Sequence, residues 1–228
     1  MTTLRSILSL LAPATCELCS RPLVAGEGLL CADCQGSLTA TVAFPPSSDS
    51  PLRERLPRLS IIDRCGAMLT YRHDSPAAML IRRGKYDNRP DIIRDLGHIW
   101  GERLAASGIM SDIDALQAVP MHLLKRLRRG YNQADILARA IGEACDIPVI
   151  HAMGARRHSA QARNTATERL TNAAGIFYVT HPDVIAGRHI AIIDDIITTG
   201  ATLSDAIRTL APARPRAITI LTLAAATL

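Results

Sequence analysis

From residue 61 to the end of the chain, apolar and polar positions follow two alternating periods. Short, largely apolar runs read as strands: IIDRCGAMLTY (61–71), ALQAVP (115–120), IPVI (147–150), RHIAII (188–193) and RAITILTLAAA (216–226). Between them lie stretches with apolar residues every three or four positions, the mark of amphipathic helices. SPAAMLIRRGKYD (75–87) opens with Ser75 as an N-cap and Pro76 in the first helical position. DIIRDLGHIWGERLAA (91–106) brings Ile92, Ile93, Leu96, Ile99 or Trp100, and Leu104 to one face. YNQADILARAIGEA (131–144) and TLSDAIRTLA (202–211) are the remaining helices. Strands alternating with helices predict an α/β fold, a mostly parallel sheet flanked by helices. Ligands of such folds sit beyond the carboxyl ends of the strands, so the loops after 115–120, 147–150 and 188–193 are where chemistry is expected.

Upstream the pattern changes. Residues 1–42 hold four closely spaced cysteines, and FPPSSDSPLRERLPRLS (44–60) has the Pro, Ser and charge content of a linker. Three units are therefore expected: 1–42, a linker over 43–60, and the α/β domain over 61–228. Leu4, Ile7, Leu8 and Leu11 share one face of a short amphipathic helix, and Ser9 and Pro13 interrupt the run, so the start of the chain reads as this helix rather than a signal peptide. No stretch reaches the roughly 18 apolar residues of a membrane span. A cytoplasmic protein is expected.

Cys16 and Cys19 form one pair two residues apart, Cys31 and Cys34 a second. The two-residue spacer turns both thiolates of a pair toward one metal, and two pairs complete a four-sulfur tetrahedral zinc site with no open position for catalysis. The alternative is two disulfides, which a reducing cytoplasm disfavours. Cys65 and Cys145 read as ordinary core residues. A net charge of +5 favours anionic partners, phosphate-bearing metabolites or nucleic acid, while 3% aromatic residues leaves little for a base-stacking platform.

The densest chemistry lies in IAIIDDIITTGAT (190–202), where an apolar strand runs into Asp194 and Asp195 and then into Thr198, Thr199, Gly200, Ala201 and Thr202. Carboxylates at the end of a buried strand are costly without partners. Backbone N–H groups at a helix start, with threonine hydroxyls, make a phosphate cradle, although the Gly-Lys-Ser/Thr ending of a Walker loop is missing. The carboxylates suit hydroxyl donors or Mg²⁺. A ribose 5-phosphate satisfies both halves.

This stretch resembles the phosphoribosyl pyrophosphate (PRPP) motif of type I phosphoribosyltransferases. Together with AVPMHLLKRLRRGYNQADILARAIG, HSAQARNTATERLTNAAGIFYV and the cysteine pairs, it makes the chain similar to the ComF family, in which a four-Cys zinc unit precedes a phosphoribosyltransferase domain. The likeness spans nearly the full length, with Arg129, Gly130, Tyr131, Asn132 and Gln133 matching one family segment and Gln161, Arg169, Asn172, Gly175 and Phe177 another. The segment IRRGKYDNRPD departs from the family's Leu-Lys-Tyr run, with Lys85 and Tyr86 as counterparts and Gly84 before them.

The resemblance implies a type I phosphoribosyltransferase fold with structural zinc on Cys16, Cys19, Cys31 and Cys34. It implies that Asp194 and Asp195 hold the ribose hydroxyls and help position Mg²⁺. Thr198, Thr199, Gly200, Ala201 and Thr202 would bind the 5-phosphate, and Val119, Pro120 and Met121 would meet the pyrophosphate, with Arg129 also on PRPP. A flap over 156–172, carrying Gln161, Arg163 and Arg169, would close on the ligand, with Arg169 joining the aspartates in catalysis.

Three functions are open at this level: Mg²⁺-dependent transfer of phosphoribose to an unknown acceptor with release of pyrophosphate, PRPP or nucleotide binding without turnover, and an accessory role in natural transformation. The last would involve single-stranded DNA or a ComFA-like helicase. The basic run Lys125–Arg129 fits pyrophosphate or acceptor contacts, nucleic-acid phosphates, or a solvated surface equally well.

Overall fold

The computed structural model describes residues 14–38, 43–156 and 175–227. Thirteen of the helices and strands it contains matter here, and all are numbered in chain order. After a short helix α1 (Ala32–Ser37) come β1 (Ile62–Tyr71), α2 (Pro76–Tyr86), α3 (Pro90–Ala106), β2 (Ala115–Ala118), α4 (Leu123–Arg129) and α5 (Gln133–Cys145). The chain continues through β3 (Val149–Ile150), β4 (Met153–Ala155), β5 (Phe177–Val179), β6 (His189–Ile197), α6 (Ala201–Leu210) and β7 (Ala217–Ala226).

Five strands form a wholly parallel sheet in the order β1-β7-β6-β2-β3. The expected α/β architecture is therefore present. Residues 189–193 of β6 and 218–225 of β7 are buried without alternation, as strands covered on both faces must be. Helix α3 packs along α5, α5 lies on β2 and β6, and α2 lies on α3 and β1. Gly97 and Gly101 of α3 meet Ala140 and Ala144 of α5 so closely that a side chain at either would collide with them. Of the two candidates for the core face of α3, Trp100 is fully buried and Ile99 only partly. The Ser75 hydroxyl accepts from the Ala78 N–H, and Pro76 opens the helix.

Two parts differ from what composition suggests. The segment after Phe44 is folded rather than extended: it buries Leu52 and Leu56, pairs Ser47 with Cys65 of β1, and forms a 3₁₀ turn over Pro51–Arg55 capped by Ser50. Its leucines supply the apolar surface that a solvated linker lacks. Strand β6 also runs past the apolar run to Ile197, because its pairing with β7 continues through Asp194–Thr222 to Ile197–Ala225. Cys65 is buried as expected, while Cys145 is only half-buried, its thiol donating to the Gly101 carbonyl.

Helix α4 was not separated by periodicity from its neighbour. His122 caps it, and Gly130 ends it in the left-handed region, at φ 88°. Its Leu123, Leu124 and Leu127 are exposed. The antiparallel pair β4–β5 brings the Arg156 N–H to the Ile176 carbonyl at 2.8 Å. Beyond Arg156, the expected flap over 156–172, with Gln161, Arg163, Arg169 and Asn172, lies outside the described residues, as does the N-terminal amphipathic helix. Among the described residues no helix is long and apolar enough to cross a membrane.

Candidate functional site

The carboxyl ends of β2 and β6 lie next to each other, with the Val119 N–H donating to the Ile193 carbonyl at 2.9 Å. One hydrogen bond thus brings the loop of Val119, Pro120 and Met121 beside the strand that carries the acids. Among the described residues Phe44–Pro45 is the cis peptide bond, so Val119–Pro120 is trans.

Asp194 and Asp195 both sit half-buried near the end of β6. The Asp195 N–H donates to Asp194 Oδ1 at 2.8 Å. Asp195 Oδ2 lies 2.8 Å from the Lys85 ammonium, with side-chain exposures of 17% and 16%. Desolvation, then the neighbouring Asp195 charge, pushes the Asp194 carboxyl up to about 8, and the Asp195 N–H and Lys85 offset only part of this. Its register partner Thr222 is fully buried, with a hydroxyl oxygen that has no hydrogen-bond partner. Burial and the neighbouring carboxylate therefore favour the protonated form of Asp194, while Lys85 faces Asp195.

Immediately downstream, Thr198 and Thr199 are exposed, Gly200 is buried, and α6 begins at Ala201. Gly200 has φ 78° and a Cβ there would overlap the Arg55 carbonyl oxygen, so only glycine fits. The Arg55 guanidinium donates to the Thr198 carbonyl at 3.1 Å and more weakly to the Ile197 carbonyl at 3.4 Å. The turn is thereby held from outside, and the first N–H groups of α6 have no side-chain cap to occupy them. Exposed hydroxyls beside free N–H donors at the start of a ten-residue helix can receive a phosphate.

The segment Arg129–Gln133 works as a bracket. Tyr131 Oη donates to the Gly84 carbonyl at 2.5 Å, and burial raises its pKa, which keeps the proton in place. Asn132 Nδ2 donates to the Val119 carbonyl at 3.0 Å, while its Oδ1 caps α5 through the Ala134 N–H. Arg129 donates to Gln133 Oε1 at 2.6 Å and stacks over the Tyr86 ring, 5.6 Å from its centre. The end of α2 and the loop after β2 are tied together through these residues.

The four N-terminal cysteines converge as their spacing predicts. All four Sγ atoms lie within 4.8 Å of one another, and Cys19 and Cys31 are 3.7 Å apart. A tetrahedron with metal–sulfur distances of about 2.3 Å has edges of about 3.8 Å, so the cluster has the size for one metal ion. Burial would raise the Cys16 thiol, but the N–H groups of Cys31, Cys19 and Leu18 and the Cys19 side chain outweigh it and hold it at about 6. Side-chain hydrogen bonds to Cys31 and Cys19 push Cys34 up to about 12. Four thiols sharing protons in this way describe a cage that a cation relieves. The unit docks on α2 and α3 through Glu17, which pairs with Arg83 at 2.6 Å and Arg89 at 2.7 Å.

Periodicity and motif reading missed Arg55 and left Lys85 without a role. Neither residue belongs to a run with chemical spacing, and both reach the site only through tertiary packing. They also missed Asp63, Asp112 and His189 at the amino ends of the strands, whose ligand atoms lie within 4.8 Å of one another. There Arg64 already binds Asp112 through two oxygens at 2.5 and 2.6 Å and Asp63 at 2.7 Å, which offsets one of the two negative charges. Burial lowers the His189 pKa and favours its neutral ring, against the pull of Asp112 and Asp63.

Compared with known proteins, residues 102–227 match the model of the phosphoribosyl transferase domain. Competence protein F of Haemophilus influenzae is 30% identical over 136 residues, covering 57% of this chain and 59% of that protein. The DNA utilization protein YhgH of Salmonella typhimurium is 24% identical over 220 residues, covering 86% and 90%. Competence protein ComFC of Bacillus subtilis is 35% identical over 95 residues, covering 42% and 37%. Among solved structures, one described as the allosteric regulatory enzyme of purine biosynthesis aligns with 62% of this chain and 30% of its own, at 17% identity and a TM-score of 0.46.

Proposed function

The chain belongs to the phosphoribosyl transferase domain family, and within it to the ComF proteins, and on that premise we propose that it binds PRPP at the carboxyl end of β6. The observation that carries this reading is the succession, within nine residues, of a half-buried carboxylate pair and an uncapped helix start with exposed threonines. The first half accepts hydrogen bonds from a vicinal diol, and the second donates to a phosphate. A ribose 5-phosphate presents both a diol and a phosphate.

In this reading Asp194 and Asp195 hold the two ribose hydroxyls and orient C1 toward the loop at Val119. Thr198, Thr199 and the first N–H groups of α6 hold the 5-phosphate, while Arg55 fixes the turn from behind. Pyrophosphate leaves C1 with the electrons of the broken C–O bond, and an acceptor supplies the pair for the new bond. No nucleophile from the protein is needed. Oxygen donors alone suit Mg²⁺, and Mg²⁺ bound with the ligand would offset the charge of the departing pyrophosphate. Gln161 and Arg169 would act from the 157–174 stretch, and Arg129 would assist from its place beside Tyr86. Zinc is the metal proposed for the four cysteines, since all-thiolate tetrahedral sites favour it. Their unbridged state fits a reducing cytoplasm.

The names of the relatives point to DNA uptake or use, and the family role proposed for this chain lies there, with the acceptor still to be identified. Isothermal titration of PRPP into the zinc-loaded protein, with and without Mg²⁺, tests the site. Binding that requires Mg²⁺ and is weakened at least tenfold in an Asp194→Asn/Asp195→Asn double variant is the expected result. Equal heats for wild type and variant would remove PRPP from this site and leave the DNA- and partner-binding reading in its place.

A further inference from the structure

The part of the chain before residue 102 lies outside the family match, yet it sends a cation into the acidic pair. Lys85 stands in the last turn of α2, with its ammonium 2.8 Å from Asp195 Oδ2. Its backbone is fixed on both sides. The preceding Gly84 gives its carbonyl to Tyr131 and packs against Ile93 so tightly that a Cβ would collide with it, and the following Tyr86 lies under Arg129. The four-carbon stem has several rotatable bonds, so the ammonium can change partner while α2 stays in place.

An ammonium and a divalent cation repel strongly at contact distance in a half-buried site. Asp195 cannot serve both at once, and Asp194 alone offers too few oxygens to hold a divalent ion. We propose that Lys85 is the resident counter-ion of the acidic pair and that it excludes divalent cations until an anionic ligand arrives. A ribose phosphate carrying its own cation gives the ammonium a phosphate oxygen as a new partner, and Asp195 is then released to the cation and the diol. Lys85 thus makes cation binding conditional on the ligand. This rests on the reading of Asp194 and Asp195 as a site for diol and cation.

The test uses Mn²⁺ alone, without any ribose phosphate, on the zinc-loaded full chain, with electron paramagnetic resonance to count bound ions. Wild type is expected to show no Mn²⁺ at the pair. Lys85→Met and Lys85→Gln should each gain a site at least tenfold tighter, lost again when Asp195→Asn is added, while Lys85→Arg should stay like wild type. Circular dichroism identifies any variant that fails to fold, and the uncharged pair supplies two independent chances of a folded one. Mn²⁺ bound equally by wild type and the uncharged variants, or a gained site that survives Asp195→Asn, overturns the proposal. Because PRPP is absent, the result stands apart from the titration above: failed PRPP binding with a gained Mn²⁺ site would reject the ligand and keep the counter-ion.

Discussion

At the scale of single residues, Asp194 shows how a strand can carry an acid into its interior. The desolvation around it and the charge of Asp195 raise its pKa to about 8, and Lys85 beyond Asp195 is too remote to reverse this. An unfolded aspartate titrates near 3.9. A group raised in this way contributes its full stability below the unfolded value and loses it as pH rises through the folded one. The thermal midpoint of the ligand-free protein should therefore fall between about pH 4 and pH 8 through this group. Asp194→Asn should flatten that decline and raise the midpoint at pH 8 by on the order of 5 °C. Melting curves of the two proteins that stay parallel across the window would contradict it. Stabilisation by a substitution at the proposed ligand site would be the mark of a residue kept for function.

Among elements, the turn from β6 into α6 is the one whose geometry leaves least freedom. Gly200 takes a left-handed conformation and lies against the Arg55 carbonyl. Gly200→Ala should destabilise the protein by about 2 kcal/mol through strain and overlap, on the order of 5 °C in melting temperature. It should also weaken the phosphate binding proposed for this turn, since the turn can relieve the overlap only by moving off Arg55. An alanine variant that melts like wild type would show that the turn relaxes at no cost. Much of this element is legible in the sequence: the apolar run, the two acids, the threonines and the glycine fix a strand, a turn and a helix in order. The strand's true end is not, because Ile196 and Ile197 are held by pairing with Ala224 and Ala225 of β7, a partner far away in the chain.

For the whole molecule, the four-cysteine unit is tied to α2, the helix that carries Lys85. Glu17 holds Arg83 and Arg89 at either end of the turn between α2 and α3, and Lys85 lies between those arginines. Metal analysis should find about one zinc per chain, lost in Cys31→Ser, because a four-sulfur site with one ligand removed binds far more weakly. Chelation should lower the melting temperature and leave most of the α/β circular dichroism intact, since the sheet and its helices bury their own core. Zinc-free protein that melts as wild type does would show that the unit contributes nothing to the remainder of the fold.

The sequence by itself determined the α/β class, the order of its main strands and helices, the cysteine cage and the acid-threonine turn. Each of these is written in local spacing: unbroken apolar runs for the strands, a period of three to four for the helices, two-residue spacers for the thiols, contiguous residues for the turn. Tertiary structure alone decided that Arg55, from a segment with a linker's composition, braces that turn, and that Lys85 rather than another cation faces Asp195. It also decided that Tyr131 and Asn132 spend their side chains on the Gly84 and Val119 carbonyls. Those assignments depend on which surfaces meet when the helices cover the sheet, and no local pattern of hydrophobic and polar residues encodes where a long side chain will end.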